Sequence, residues 1–275
     1  MQAISQTLQQ KLEMLNWDFN NRCEKHESYF LFDYNDNINS HCPVCYCEGM
    51  TKSVEQQEAE KALDAERLKK YNTLKKLSII QDETLRAIRF SDYKPTNSEE
   101  NNNKNKALDF FNQYRNGEVF NLWIQGLNTG VGKSHLGMSI LEELNESDAK
   151  NRSCLFIDIA RMLELIHDSF DNKESHYTQA YFTDLLGKVD FLVLDDLGAE
   201  TGDIDSKKKA SEYTSKVLRS VMNSRQDKAT IITTNLPSAK LKQMYDGKLI
   251  SRMMRGVEVI VFKESIDKRP SEVGF

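Results

Sequence analysis

Residues 122–134, LWIQGLNTGVGKS, constrain this chain more than any other stretch. Leu122-Trp-Ile-Gln125 reads as a buried strand and Ser134–Leu144 as a helix, with a glycine-rich turn between them that ends in Gly132-Lys133-Ser134. Such a turn bares backbone N–H groups beside the positive end of a helix, which makes a cradle for phosphate. The phosphate-loop pattern G-x-x-x-x-G-K-[ST] asks for its first glycine at position 127, which is Leu127; the glycine arrives one residue early, at Gly126. Gly126 would still start the turn out of the strand, with the loop one residue longer. The groups nearest the phosphates are intact. Gly130 and Gly132 keep the backbone open, Lys133 brings a point charge to the β- and γ-phosphates, and Ser134 offers a hydroxyl to Mg²⁺. Val131 and His135 complete the expected nucleotide-contact segment, 130–135.

Two further segments fit the same chemistry. Phe191-Leu-Val-Leu-Asp195-Asp196 is a strand that ends in two adjacent carboxylates. Packing gives no reason for acids there, and the pair repels itself; a bound Mg²⁺ supplies the reason. Asp195 would hold the metal through water, and Asp196 would polarise the attacking water. Ala229-Thr-Ile-Ile-Thr-Thr-Asn235 ends in an amide that would orient this water beside the γ-phosphate. In an open parallel sheet, ligands gather at the carboxyl ends of the strands, where all three segments finish.

Strand-like runs at Phe120–Gln125, Cys154–Ile159, Asp190–Leu194, Thr230–Thr234 and Val257–Phe262 alternate with helical stretches. That order predicts an α/β domain with a mainly parallel five-stranded sheet over about residues 77–275. Within it, the polar tract 97–106 reads as a surface loop, followed by a helix near Ala107–Tyr114. Residues 51–76 are rich in Glu, Gln, Ala, Lys and Leu and lack Gly and Pro, so they predict a solvated linking helix. Residues 1–20 place Ile4, Leu8, Leu12 and Leu15 at helical spacing, an amphipathic helix. No apolar run approaches the ~20 residues of a membrane helix, and the N-terminus lacks the pattern of a signal peptide, so a cytoplasmic protein is expected. With 29% charged residues and a net charge of −5, any contact with nucleic acid has to come from a local basic patch.

Four of the five cysteines lie in the first fifty residues. Cys23-Glu-Lys-His26 and Cys42-Pro-Val-Cys45 have the paired spacing of a structural zinc site, which a reducing cytosol favours over disulfides. Cys47 and His41 are alternates for one position. So short a segment buries little core, so metal would supply much of its folding free energy. Four protein ligands leave no open position for catalysis.

Taken together, GVGKSHL (130–136), VLDDLGAE (193–200), NSR with TIITTNL (223–225, 230–236) and ISRMM (250–254) resemble the AAA+ ATPases. The closer resemblance is to the bacterial and phage helicase loaders of the DnaC/DnaI type, while the IstB-type transposition helpers share much of the core. The resemblance implies an oligomeric ring or spiral with ATP held between neighbouring subunits. It makes Arg252, in ISRM, the arginine that completes the next subunit's site, and Arg269 a sensor arginine acting within its own subunit. Arg225 would be a further arginine facing a neighbour. Single-stranded DNA would bind in the ring interior. Segment 159–185 occupies the place where related initiators carry DNA-contacting helices, but it offers few basic residues beyond Arg161 and Lys173, so Lys207–Lys209 are better local candidates. The first fifty residues resemble the zinc-bearing N-termini of some loaders and would form the end that binds a DnaB-type replicative helicase. The implied function is ATP-dependent delivery of that helicase onto single-stranded DNA, in the cytoplasm of a bacterium or of a phage's host. The alternative is an IstB-like remodelling of duplex DNA for a transposase.

Overall fold

The computed structural model describes residues 16–33, 36–147, 151–201 and 210–268. The chain divides into two compact units, Met1–Glu66 and Arg67–Phe275.

In the first unit, β1 (Trp17–Arg22), β2 (Tyr29–Asp33) and β3 (Asp36–His41) form an antiparallel sheet in that order. Trp17 pairs with Leu31, and Leu31 pairs in turn with His41. Asp18 ties the sheet together: it is buried and accepts hydrogen bonds from Ser40 Oγ at 2.7 Å and Asn21 Nδ2 at 2.6 Å. The expected helix over 1–20 therefore cannot reach its end, because residues 17–20 are strand; Ile4, Leu8, Leu12 and Leu15 lie outside the described residues. Helix α1 (Pro43–Leu77) starts earlier than the expected 51, directly at the second cysteine pair, since Pro43 suits a first helical position. Its first turns belong to one unit and its last turns to the other. Leu74 alone among its residues is buried, as a solvated linking helix requires.

The next α-helix in the second unit after the end of α1 is α2 (Ser98–Arg115), which overturns the loop expected at 97–106. Asn97 caps this helix, with its side chain accepting from Glu100 N–H at 2.9 Å. The buried positions are Glu100, Asn103, Ala107, Phe110 and Tyr114, a helical face whose first two members are polar. Those two have partners: Glu100 accepts from the Thr96 N–H at 2.6 Å, and Asn103 Nδ2 donates to the Val261 carbonyl at 3.0 Å.

Then follow β4 (Asn121–Gly126), α3 (Lys133–Glu146), β5 (Cys154–Asp158), α4 (Ile159–Asp171), α5 (Gln179–Lys188) and β6 (Phe191–Asp195). After them come α6 (Glu212–Ser224), β7 (Ala229–Thr234), α7 (Ser238–Met244), α8 (Gly247–Met253) and β8 (Val257–Phe262). The five strands β4–β8 form one all-parallel sheet in the order β5-β6-β7-β4-β8. Side-chain alternation sends Leu155, Ile157, Leu192, Leu194 and Ile232 into one buried cluster and Phe156, Val193, Ile231, Leu122 and Ile124 into another, so both faces are covered. The chain leaves β4 for the far edge at β5, works back to β7, then passes over β4 to β8. This reversal beside β4 is a topological switch point, where α/β sheets open a crevice. Among the described residues no helix is long and apolar enough to cross a membrane.

Candidate functional site

The carboxyl ends of β4, β5, β6 and β7 open into a cleft of about 390 Å³. Gly130, Gly132, Lys133, Ser134 and His135 line it from the loop, and Asp195, Asp196 and Asn235 from the neighbouring strand tips. Val131, within the same segment, is buried beneath the loop instead, with its carbonyl accepting from Tyr93 Oη at 3.3 Å.

Gly130 and Gly132 have φ of +66° and +99°, in the left-handed region where glycine carries no Cβ penalty. A Cβ at Gly132 would also fall 2.4 Å from the Tyr93 ring. Gly126 does something other than start the turn. It has no left-handed φ and is the last residue of β4, where a Cβ would stand 2.8 Å from Phe262 Cβ. The glycine is needed for close packing of β4 on β8, and the loop proper begins at Leu127.

Lys133 opens α3 and is buried, with Nζ donating to the Asn128 carbonyl at 2.7 Å. Ser134 Oγ donates to Asp195 Oδ2 at 3.1 Å, and Thr233 Oγ1 donates to the other oxygen at 2.6 Å. Burial pushes Asp195 up to about 6, against the opposing pull of these two hydrogen bonds. Asp196 follows with a left-handed backbone, φ +57°, and accepts from Asn235 Nδ2 at 2.6 Å. Burial raises its pKa too, and the Lys133 ammonium opposes that rise. Asn235 Oδ1 is buried without a protein partner, an acceptor left over in the cleft.

Sequence reasoning missed part of this cleft. Gln81, Asp82, Thr84, Leu85 and Ile88 form a wall opposite the loop, from a segment with no strong periodicity. Asp158, at the tip of β5, faces the same space while capping α4 through the Arg161 N–H at 2.8 Å. A strand-end acid before a helix was the available signal for it.

The other expected residues lie elsewhere. Arg252 is on α8 and lines a groove with Lys228 and Arg255 at the amino ends of the strands, away from its own chain's cleft. Arg225 departs from the sequence reading, since its side chain is turned into its own chain. It is 2% exposed and donates to the carbonyls of Leu186, Val189, Asp190 and Ala229 and to Thr230 Oγ1. Arg161 pairs with Glu164 at 2.9 Å on the surface. Arg269 and Lys207–Lys209 lie outside the described residues.

In the first unit the ligand atoms of Cys23, His26, Cys42 and Cys45 all fall within 4.8 Å of one another. Three thiols and an imidazole suit a tetrahedral zinc ion. Cys47 and His41 stand outside the group, His41 with its ring tilted on Tyr46 at 4.6 Å.

A parallel sheet with a phosphate loop at its switch strand and paired acids on the next-but-one strand tip defines a nucleotide-binding ATPase domain of the AAA+ type. The family model for the bacterial DnaA ATPase domain matches residues 98–260, over half of the chain, and the chain belongs to that family. The fold is similar to that of a DnaC helicase loader, with 24% identity and a TM-score of 0.53, covering 66% of this chain and 99% of that one. It is similar to DnaI at 23% identity and TM-score 0.52, covering 67% and 95%. A putative primosome component from Streptococcus pyogenes serotype M3 matches at 23% and 0.50, covering 68% and 91%. At these identities the likeness is one of fold. No curated protein sequence matches the chain.

Proposed function

We propose that this protein is an ATP-dependent helicase loader, which binds a DnaB-type replicative helicase and delivers it onto single-stranded DNA at the start of replication. One observation carries the reading: Ser134, Asp195 and Thr233 are hydrogen-bonded together beside the Asp196–Asn235 pair at one cleft, in a fold similar to a helicase loader's, on a chain that also holds a Cys₃His cluster.

In this reading Lys133 and the N–H groups of 130–134 hold the β- and γ-phosphates, and Lys133 exchanges its bond to the Asn128 carbonyl for one to phosphate. Ser134 and, through water, Asp195 would hold Mg²⁺, which would neutralise charge on the phosphate oxygens. Asp196 polarises the attacking water, and Asn235, fixed against Asp196 and with a spare acceptor, orients it. Arg252 reaches the cleft of the next subunit in a homo-oligomer, where its guanidinium spreads over the phosphoryl oxygens in the transition state. Arg269 is the same-subunit sensor. Cys23, His26, Cys42 and Cys45 would hold zinc, which would keep the first unit folded, and this unit makes the helicase contact. ATP binding sets the assembled, DNA-binding state, and hydrolysis releases the loader. The protein acts in the bacterial cytoplasm.

A pull-down of the replicative helicase from the native host tests this, with the full chain and with residues 1–66 removed at the unit boundary. Helicase recovered by the full chain alone supports the loader. Transposase or duplex DNA recovered in its place replaces the loader with the IstB-like helper.

A further inference from the structure

The Cys/His cluster has a carboxylate standing behind it. His26 turns Nδ1 toward the three sulfurs, 3.7 Å from Cys23 Sγ, 3.6 Å from Cys42 Sγ and 3.4 Å from Cys45 Sγ. Its other nitrogen, Nε2, lies 3.1 Å from Glu48 Oε1. The second oxygen of Glu48 accepts from Lys25 Nζ at 2.5 Å. Glu48 is on α1, just past Cys45, and Lys25 precedes His26 in the turn after β1. The turn of the first ligand pair therefore grips, with two side chains, a carboxylate supplied by the helix of the second pair.

We propose that Glu48 is the positioning residue of this metal centre, accepting the Nε2–H of His26 so that Nδ1 is presented to the ion; the proposal rests on the zinc reading above. An ionised carboxylate is acceptor only, so the nitrogen facing it carries the proton. A neutral imidazole has one N–H, so the nitrogen facing the sulfurs keeps its lone pair. Glu48 thereby favours the tautomer that binds metal. Lys25 sets the carboxylate's orientation by holding its second oxygen. As a surface ion pair Lys25–Glu48 is worth little on its own, because both side chains are substantially exposed. Its value is in aiming His26, whose side chain is only 15% exposed. Cys42 has a comparable outer contact, from the Cys45 N–H to its sulfur at 3.5 Å, so two of the four ligands are braced from outside.

The test is zinc competition against a chromophoric chelator, on the full-length zinc-loaded chain. Loss of an outer-shell partner typically weakens metal binding about 10- to 100-fold, the range expected for Glu48→Ala. Glu48→Gln keeps an acceptor oxygen and recovers most of this loss. Nitrogen-15 shifts of His26 in the zinc-loaded wild type should show Nδ1 bound and Nε2 protonated. The proposal is overturned if Glu48→Ala binds zinc as tightly as wild type, if Glu48→Gln is as weak as Glu48→Ala, or if the tautomer is reversed. A wild-type chain that takes up no zinc removes the zinc reading first. Cobalt-loaded Glu48→Ala should retain a tetrahedral thiolate spectrum, which separates weaker binding from failure to fold.

Discussion

Replacing Arg225 by Met separates two readings of the same residue. As an arginine facing a neighbour, its loss would leave the isolated chain as stable as before. The structure instead makes it an internal clamp, joining the end of α5 (Leu186, Val189) to the start of β6 (Asp190) and the start of β7 (Ala229, Thr230). Five hydrogen bonds from a charged donor, at about 1.5–3 kcal/mol each, amount to about 8–15 kcal/mol. Against this stands the cost of burying the charge. Burial pulls the guanidinium down to about 9, the mark of that cost. Met leaves the carbonyls of Leu186, Val189 and Ala229 without this donor, at about 1–3 kcal/mol each, so a destabilisation of at least about 3 kcal/mol is expected. Lys in place of Arg keeps the charge but cannot fork to five acceptors, so it should recover little. Urea unfolding followed by the fluorescence of buried Trp123, in a Trp17→Phe background to silence the other tryptophan, reads the difference. Coincident midpoints for Arg225→Met and its parent would refute the clamp. A stable variant that assembles poorly would restore the interface reading.

Lys133→Ala should abolish nucleotide binding measured by fluorescent-analogue titration, whereas Asp196→Asn should keep binding and lose hydrolysis by at least about 100-fold, as removal of a water-polarising group does. Arg252→Ala should bind nucleotide normally and lose hydrolysis only in the assembled state, with activity partly restored by mixing it with an Asp196→Asn chain that supplies the arginine. Normal turnover of the assembled variant would withdraw Arg252 from the site. Stripping zinc with a strong chelator should melt the β1–β3 unit, seen as lost amide protection there, while Trp123 and the nucleotide affinity stay unchanged; a folded apo unit would mean that the cluster does not stabilise it.

The ATPase half was legible because its signals are local and chemical. The strand, loop and helix around Gly132-Lys133-Ser134, the acids after β6 and the amide after β7 each carry their meaning in a few adjacent residues, and the parallel sheet follows from strand–helix alternation. What escaped depends on partners distant in sequence. Helix α2 looked like a loop because Glu100 and Asn103 occupy its buried face, and their partners, Lys268 and the Val261 carbonyl, lie far along the chain. Arg225 looked like a surface residue because a guanidinium satisfied by backbone carbonyls leaves no charge partner in the sequence. The β1–β3 sheet was hidden among residues whose spacing was read only for metal ligands. Gly126 seemed a misplaced loop glycine, and its reason is Phe262 on another strand.

In the proposed mechanism the adjacent pair Asp195 and Asp196 holds two jobs, and the backbone lets one dipeptide do so. A regular strand would send neighbouring side chains to opposite faces, and one of these acids would leave the cleft. The strand ends at Asp195, and Asp196 takes a left-handed backbone instead, which Asp tolerates better than most residues. Both carboxylates then line the cleft, in different company. Asp195 accepts from two hydroxyls, Ser134 from the loop and Thr233 from β7, one at each oxygen, which fixes its orientation and leaves acceptor capacity for the metal-bound water proposed above. Asp196 is held by one amide, Asn235, and faces the Lys133 ammonium closely enough to feel its charge, so it keeps acceptor capacity toward the cleft. The same Thr233 hydroxyl that donates to Asp195 accepts the Asp196 N–H at 2.9 Å, so one side chain fixes both the carboxylate and the turn after it. Thr233→Val would therefore disturb metal affinity and water positioning together, while Asn235→Ala would affect only the second.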